Sequence, residues 1–450
     1  MTAKDHTRRL DVDPASEAAA ADFCDDVRLQ RMLDFESALA RAEARCGLFP
    51  QATADAISSV CRVELFDRRA LARDAEKAGN LAIPLVKQLT RLVEDKDPMS
   101  SRFVHWGATS QDAIDTGMIL QLRDALASID EDLHTLCGLL ADLTEKYRDT
   151  LMPGRTWLQH AVPITFGLKL AGWLDACLRH RERLSELKPR VLTLQFGGAA
   201  GTLAFLANDG DAVTEALAAE LRLSMPDIAW HTCRDRIAEA GAWCAVLTGS
   251  LGKMARDLSL TSQTEVGETA EAASGGSSTM PQKRNPVAAA AVLGVAIRMP
   301  GLVSTLLTAM VQEHERGLGG WQAEWATLPE IWVLTAGALR KMIAALRELE
   351  VYVEEMSRNL NANGGLIMAE AVSAALAPKL GRSEAHSLVE AASQRAAAEG
   401  KHLCTILECT PTAMQHLTHE QLDDIFKPSN YLGSAQQMIS RVLNKYREQE

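Results

Sequence analysis

The sequence is short of positive charge. Its 450 residues include 47 lysines and arginines against 59 aspartates and glutamates, a net charge of −12, and no basic stripe is present. This balance argues against nucleic acid as the main partner. The 24% share of charged residues and the 47% share of apolar residues are typical of a soluble globular protein. A chain of this length should hold a large core, divided into more than one domain.

Uninterrupted apolar segments and paired cysteines are also missing. Charges interrupt the longest apolar stretches before the roughly 20 residues that a membrane span requires. The first residues carry positive charge with no apolar core behind it, which predicts no signal peptide. The nine cysteines are scattered singly, without a Cys-x-x-Cys pair. Their odd number favours reduced thiols, and we therefore expect a cytoplasmic protein with no membrane partner.

Motifs for metals and dinucleotides are absent as well. The sequence has no His-Glu-x-x-His run, no cysteine cluster and no Asp/Glu set with metal-ligand spacing. It has no dinucleotide fingerprint either. We therefore expect no metal and no cofactor.

Helical periodicity is present along most of the chain. Between residues 115 and 150 apolar residues recur at steps of three and four without a miss: Ile119, Leu122, Leu126, Ile129, Leu133, Leu136, Leu140, Leu143 and Tyr147. A second such run covers 237–258, a third covers 321 to about 356, and 163–188 and 287–312 are helical and mostly apolar. Long helices with apolar seams on several faces favour an oligomer of pooled bundles. A monomeric bundle fits the same periodicity.

The organisation predicts an all-α protein of three domains. We expect a helical N-terminal domain over 1–112, a central long-helix bundle over 113–355 and a small helical C-terminal domain over 356–450. A helical run that includes Met32 and Leu39 stops at Gly47, a suitable C-terminal cap. After about residue 353 the seams shorten and Asn/Gly punctuation appears.

The segment 274–286 is the most informative in the chain. It reads Ser-Gly-Gly-Ser-Ser-Thr-Met-Pro-Gln-Lys-Arg-Asn-Pro and connects two helical stretches. Connections of this length are usually functional or disordered. Its glycines permit close backbone approach, its serines offer hydroxyls, Lys283 and Arg284 offer positive charge, and Pro286 is placed to start the next helix. A plain polar loop is the alternative.

Four further polar islands interrupt the helices, and each has a plain structural alternative. In 105–112, Thr109 and Ser110 at a helix N-terminus would suit an anion, while Ser110 or Asp112 could simply cap the helix. Segment 154–160 could be an interhelix turn. The glycines of 195–202 could be packing or turn devices. Segment 313–325 could be a solvated charge cluster at an interhelix joint.

Taken together, the islands and the loop match one family in order and residue type. The run from Gly276 to Pro286 resembles the signature of the fumarase/aspartase superfamily. The pattern His105-x-Gly-x-Thr-Ser-x-Asp112 resembles its first conserved region, and Arg155-Thr-x-x-Gln159 its second. Within the superfamily the chain is most similar to bacterial cycloisomerases of the protocatechuate/β-ketoadipate pathway, through segments 32–43, 79–85, 155–159, 314–325 and 431–434.

The resemblance implies a fold, an assembly and a chemistry. The implied fold has three all-α domains, and the implied assembly is a homotetramer in which each active site draws on three chains. The implied substrate is a small tricarboxylate, and the implied reaction is lactone formation by addition of one carboxylate to a double bond. By resemblance Ser277, the first serine of the pair, is the general base in the lyase direction. Lys283 could supply part of the field that favours its alkoxide.

The remaining site residues follow from the same chemistry. Removing a proton beside a carboxylate creates an aci-carboxylate dianion, which needs preorganised donors and cations. His105 and His160 are possible acids. Residues of the type that binds carboxylates are Thr109, Ser110, Thr156, Gln159, Ser278, Asn285 and Arg316.

One position departs from the family pattern. Lyases of the superfamily typically have a histidine where this chain has Trp157, and that histidine helps protonate the leaving nitrogen or oxygen. A carboxylate leaving group with a pKa near 4 needs no such acid, so the loss favours lactone chemistry. An adenylosuccinate lyase or a related fumarate-releasing lyase is the alternative enzyme. A noncatalytic helical scaffold is the alternative outside catalysis.

Overall fold

The computed structural model describes residues 20–272, 275–276, 280 and 283–449. Within these ranges the chain is all-α, as the sequence predicts, with seventeen α-helices and three two-stranded antiparallel sheets. The helices are α1 Asp25–Arg45, α2 Gln51–Ser58, α3 Arg68–Ala78, α4 Ala82–Glu94, α5 Ser110–Lys146, α6 Phe166–Val191, α7 Gly210–Leu221, α8 Asp235–Thr261, α9 Val287–Ala309, α10 Gly320–Arg347, α11 Val353–Asn361, α12 Ala369–Leu380, α13 Arg382–Glu399, α14 Leu403–Glu408, α15 Pro411–Met414, α16 His419–Ile425 and α17 Ala435–Glu448.

The strands are short and pair locally or across long loops. They are β1 Leu151–Thr156, β2 Gln159–Thr165, β3 Thr269–Glu271, β4 Gly275–Gly276, β5 Arg284–Asn285 and β6 Leu349–Val351. Strand β1 pairs with β2, β3 with β6, and β4 with β5. The last pair closes the base of the loop 274–286, and α9 begins directly after Pro286, as predicted.

Four of the five helical runs form long helices, as predicted. Helix α5 begins at Ser110, earlier than the seam that predicts it, and its seam residues from Ile119 to Leu140 are at most 1% exposed. Helix α8 covers the second seam, α6 covers most of 163–188, and α9 covers most of 287–312. The prediction of one helix over 321–356 was wrong: α10 ends at Arg347, and β6 leaves the helix axis to pair with β3.

Segment 154–160 does not take the form of its structural alternative. It belongs to the hairpin of β1 and β2 rather than to an interhelix turn, and α6 begins only at Phe166.

The predicted end of the first helix at Gly47 is confirmed. Its φ of +83° is the left-handed geometry of a helix C-terminal cap, and the N–H groups of Gly47 and Leu48 bond to carbonyls of the last turn.

The chain folds into two compact units. The first is built from the described residues of 1–133, 180–251 and 294–341, and the second from those of 134–179, 252–293 and 342–450. In the first unit α1 packs against α2 and α7. In the second unit α12, α13 and α14 enclose an apolar core, and the β1–β2 hairpin packs against α11. The division into domains at 112 and 355 stays a prediction.

Helix α9 is unusual among the described helices. By length and composition it alone is long and apolar enough to cross a membrane, with Arg298 near its centre. Only 22% of its most apolar stretch is buried within the chain. A long apolar helix that its own chain leaves uncovered needs another apolar surface.

Candidate active site

The predicted site residues divide between the two units. His105, Thr109, Ser110 and Arg316 belong to the first unit. Thr156, Gln159, His160, Lys283 and Asn285 belong to the second. Ser277 and Ser278 lie outside the described residues.

Asp112 organises the first polar island. Its Oδ2 accepts the N–H of Thr109 at 3.0 Å, so it serves the first turn of α5 as a cap. Its carboxylate is fully buried, and it also accepts the N–H groups of Gly197 at 3.1 Å and Gly198 at 2.9 Å. The first and third islands are therefore joined by one side chain.

Two further side chains complete this buried junction. His231 Nε2 lies 2.7 Å from Asp112 Oδ1, and Gln195 Nε2 donates to the same oxygen at 3.3 Å. Gln195 Oε1 accepts the N–H of Trp230 at 2.8 Å. Every oxygen of the Asp112 carboxylate is thus occupied by donors, which holds both loops in one arrangement.

The glycines of the two islands allow their backbones to meet. Gly107 and Gly198 have φ of +71° and +67°, a region that favours glycine. A Cβ atom on Gly198 would lie 2.9 Å from the carbonyl oxygen of Gly107. The structure therefore requires glycine at Gly198 for both its conformation and its contact.

Arg316 brings the fourth island to the same place. Its guanidinium donates to Gln111 Oε1 at 3.2 Å and to the carbonyl oxygens of Gly198 at 3.4 Å and Ala199 at 2.9 Å. Arg316 thus joins the glycine loop to the start of α5. Its predicted contact with substrate stays a prediction.

A buried ion cluster lies one turn along α5. The guanidinium of Arg234, 1% exposed, bonds to Asp115 Oδ2 at 2.7 Å and to Glu324 Oε1 at 3.0 Å. Trp321 Nε1 donates to Asp115 Oδ1 at 2.9 Å. Burial raises the pKa of Glu324, and Arg234 opposes that rise. The sequence reasoning missed this cluster, although Trp321 and Glu324 share one face of α10 at a spacing of three.

His105 has a buried partner that the sequence reasoning also missed. Its Nδ1 lies 2.6 Å from Glu36 Oε1 on α1. Burial alone would lower the pKa of His105, but the charge and hydrogen bond of Glu36, with the charge of Asp112, raise it above its ordinary value. His105 is therefore favoured as an imidazolium.

In the second unit, Arg155 fixes the hairpin of β1 and β2. It forms a bidentate pair with Glu268, with Nη1–Oε2 at 2.9 Å and Nη2–Oε1 at 2.6 Å, and the Glu268 side chain is fully buried. Asn359 Nδ2 donates to Glu268 Oε1 at 3.0 Å. A planar, two-point contact of this kind sets orientation as well as energy.

The hairpin carries Thr156 and Gln159 directly opposite each other, on either side of the tip. The two tip residues, Trp157 and Leu158, have φ of +52° and +64°, and Trp157 is 98% exposed. Turns with two positive φ values normally use Asn-Gly or similar residues. Strained conformations of this kind cluster at functional sites.

His160 faces a different environment from His105. It lies opposite Arg155 in the register of β1 and β2. Burial lowers the pKa of His160, and the charge of Arg155 lowers it further, while Glu268 acts in the opposite direction. His160 is therefore neutral at neutral pH, with one ring nitrogen that donates a hydrogen bond, one that accepts, and no second proton to give up.

The two cations of the loop 274–286, Lys283 and Arg284, have different surroundings. Arg284 donates to Glu350 at 2.7 and 2.8 Å and to the Tyr352 hydroxyl at 2.9 Å. The hydrogen bonds that Glu350 accepts from Arg284 and from the Tyr352 hydroxyl lower its pKa to about 2. The Lys283 side chain is exposed and forms no ion pair with a described residue. Asn285, half-buried, pairs with Gly275 in the β4–β5 ladder.

One group of side chains among the described residues has the spacing of metal ligands. The ligand atoms of Cys404, Glu408 and Asp423 lie within 4.8 Å of one another at the surface of the C-terminal helices. None of the predicted site residues belongs to this group. The expectation of a reaction without metal or cofactor stays a prediction.

Comparison with known proteins gives matches along nearly the whole chain. The family described as Lyase matches residues 8–301, and that described as Adenylosuccinate lyase C-terminus matches residues 365–442. The 3-carboxy-cis,cis-muconate cycloisomerase of Pseudomonas aeruginosa is 52% identical over 94% of this chain and 93% of its own. That of Bradyrhizobium diazoefficiens is 51% identical over 95% and 96%. The crystal structure of the 3-carboxy-cis,cis-muconate lactonizing enzyme from Pseudomonas putida has a TM-score of 0.91 at 50% identity, covering 96% of this chain and 97% of that one.

Proposed function

The chain belongs to the fumarase/aspartase superfamily of lyases, and from this premise we propose that it is a 3-carboxy-cis,cis-muconate cycloisomerase. The observation that carries the proposal is identity of about half the residues to cycloisomerases over at least 94% of the chain. The enzyme converts the open-chain tricarboxylate to a carboxymuconolactone. In the β-ketoadipate pathway this step belongs to protocatechuate degradation.

The reaction has two steps that the site residues serve. One substrate carboxylate attacks a conjugated carbon, and the π electrons move into the neighbouring carboxylate to give an aci-carboxylate. Thr109, Ser110 and Gln159 bind the carboxylates, together with Thr156, Ser278, Lys283, Asn285 and Arg316. Such groups stabilise charge that develops in the transition state.

The second step adds a proton to carbon. The Ser277 hydroxyl donates this proton in the forward direction and acts as the base in reverse, while Lys283 favours its alkoxide. The substrate carries three negative charges, and the lactone carries two after uptake of one proton. No acid is required for a leaving group, because in reverse the leaving group is a carboxylate. Trp157, in place of the histidine of related lyases, is compatible with this chemistry.

The assembly is part of the same proposal. Helix α9 leaves an apolar face uncovered in the single chain, which supports a homotetramer whose central helices share a core. In this proposal each active site draws on three chains, and the protein acts in the cytoplasm on a small molecule.

The direct test is the loss of muconate ultraviolet absorbance when purified protein meets 3-carboxy-cis,cis-muconate in the presence of a chelator. We expect rapid loss with wild-type protein, and a fall in kcat of at least about 100-fold for Ser277→Ala. Ser278→Ala, the matched control next to it, should mainly raise KM. Equal effects of the two substitutions would contradict the assignment of Ser277. No loss with wild-type protein, together with fumarate release from adenylosuccinate, would favour the alternative lyase.

A further inference from the structure

We propose that Glu36 is the positioning residue of His105, holding its imidazole with Nδ1–H toward α1 and Nε2–H free to bind a substrate carboxylate. The inference rests on the proposed function, because it assigns a task to a residue of that same site. Glu36 lies in the segment 32–43, which resembles the cycloisomerases but has no role in the mechanism given above.

The geometry of the pair fixes the orientation of the imidazole. The Nδ1–Oε1 distance of 2.6 Å is that of a short, charge-assisted hydrogen bond. The Glu36 side chain is 1% exposed and that of His105 is 16% exposed, so water competes little for the contact. A carboxylate can only accept, so Nδ1 must carry the hydrogen, and Nε2 is the nitrogen left for another partner.

The surrounding charges then decide whether Nε2 also carries a hydrogen. Two carboxylates act on His105, Glu36 from α1 and Asp112 from α5, and both favour the imidazolium. Burial opposes them but is outweighed. Asp112 is also held by His231 and by backbone N–H groups. Glu36 makes the only direct hydrogen bond to the imidazole among the described residues.

Two titratable neighbours of Glu36, Glu43 and Cys61, carry no charge that would replace it. Glu43 lies two turns along α1, is fully buried, and has no hydrogen-bond partner for either oxygen among the described residues. Burial, with the charge of Glu36, raises the pKa of Glu43 to about 9, so it is neutral at neutral pH. Burial and the charges of Glu36 and Asp34 raise the pKa of the Cys61 thiol, against the opposing charge of Arg41, so it too is neutral.

The backbone at His105 agrees with a site under constraint. Its φ of +58° lies in the left-handed region, which a histidine adopts only at a cost in conformational energy. The contact with Glu36 is one interaction that holds the residue there. A strained backbone at His105, next to its buried contact with Glu36, indicates that the residue is held in place for function rather than for packing.

The imidazolium has a defined task in lactone formation. The substrate is a trianion, and Trp157 occupies the position where related lyases have a histidine. Nε2–H of His105 donates to a carboxylate oxygen that gains charge as the aci-carboxylate forms. His105 keeps its proton throughout, while the proton added to carbon comes from Ser277 and is replaced from solvent.

The test compares Glu36→Gln with Glu43→Gln in the full-length protein. The amide oxygen that replaces the carboxylate in Glu36→Gln can still accept from Nδ1, so the tautomer is kept and only the charge is lost. The pKa of His105 then falls, because burial is no longer outweighed, and the imidazolium persists only at lower pH. We expect kcat/KM of Glu36→Gln to fall at least about ten-fold at pH 8 and to recover in large part near pH 6. Glu43→Gln should keep the wild-type pH profile.

A uniform loss of activity at every pH in Glu36→Gln would indicate a structural role and overturn the inference, as would an unchanged profile. A second measurement does not depend on the substrate. Diethyl pyrocarbonate modifies neutral imidazole, and mass spectrometry of the peptide that contains His105 gives its modification rate as a function of pH. The rate should rise at lower pH in Glu36→Gln than in wild type. If wild-type protein is inactive but the modification rate still shifts in Glu36→Gln, only the proposed function is rejected. If the modification rate does not shift, the role of Glu36 toward His105 is rejected.

Discussion

At the scale of single residues, the first unit depends on one buried carboxylate. Asp112 satisfies backbone N–H groups of two loops and the ring of His231. A buried donor left without a partner costs more free energy than one hydrogen bond contributes to stability. Removing the Asp112 carboxylate would leave several such donors at once. The predicted anion-binding residues Thr109 and Ser110 lie on one of these loops.

We expect Asp112→Asn to lower the free energy of unfolding by about 3 kcal/mol. The amide nitrogen of asparagine cannot accept the hydrogen bonds that one carboxylate oxygen accepts, so those buried donors lose their partner. The loss would appear in the midpoint of urea unfolding followed by circular dichroism. The matched control is Asp124→Asn on the same helix. Asp124 forms surface ion pairs with Arg31 and Arg123 and is 37% exposed, so its loss should cost less than about 1 kcal/mol. Equal costs would show that Asp112 does not organise these loops.

The side chains that bear polar chemistry could be found from the sequence, but their partners could not. His105, Asp112 and the glycines of 195–202 stood out because they interrupt apolar periodicity. His231 lies 119 residues from Asp112, and Glu36 lies 69 residues from His105 within a plainly helical run. Helical periodicity reports which face is apolar and carries no information on contacts of this separation.

At the scale of elements, the same limit separates the helices from the strands. The seam of α5 lies within one helix, so its steps of three and four were sufficient to predict it. Strand β6 exists because it pairs with β3, about eighty residues earlier, and no pattern in the sequence predicted the hairpin of β1 and β2. Strands this short are stabilised by pairing rather than by propensity.

The tip of the hairpin gives a prediction at this scale. Leu158 has a φ of +64° and is 71% exposed, so it contributes strain and little packing within the chain. We expect Leu158→Gly to raise the free energy of unfolding by about 1 kcal/mol, since relief of strain exceeds the entropy cost of glycine. Differential scanning calorimetry would measure the gain.

Leu318→Gly is the matched control for that change. Leu318 is 87% exposed and its φ is not positive, so glycine there should lower stability by about 0.5–1 kcal/mol. The same sign of change in both variants would contradict strain at the tip. Lower activity in a more stable Leu158→Gly protein would show that the strained turn positions Thr156 and Gln159.

At the scale of the whole molecule, the uncovered face of α9 is the main feature that the single chain leaves unexplained. Ile297, near the middle of the helix, is 75% exposed, and Leu307 is 52% exposed. Apolar surface of this kind on a long helix is typical of a subunit interface. In the proposed homotetramer this face belongs to the shared core, and the active sites depend on it because each draws on three chains.

We therefore expect Ile297→Lys to convert the tetramer to smaller species and to abolish cycloisomerase activity, while the helical circular dichroism of the chain is kept. A lysine ammonium in an apolar interface loses its hydration without a partner, which opposes assembly. Size-exclusion chromatography with light scattering measures the change. Ile228→Lys is the control, at an isoleucine that is 73% exposed and lies outside the long helices, and it should leave assembly and rate unchanged. Full activity of an Ile297→Lys monomer would show that one chain holds a complete site, and would reject shared active sites while leaving the chemistry intact.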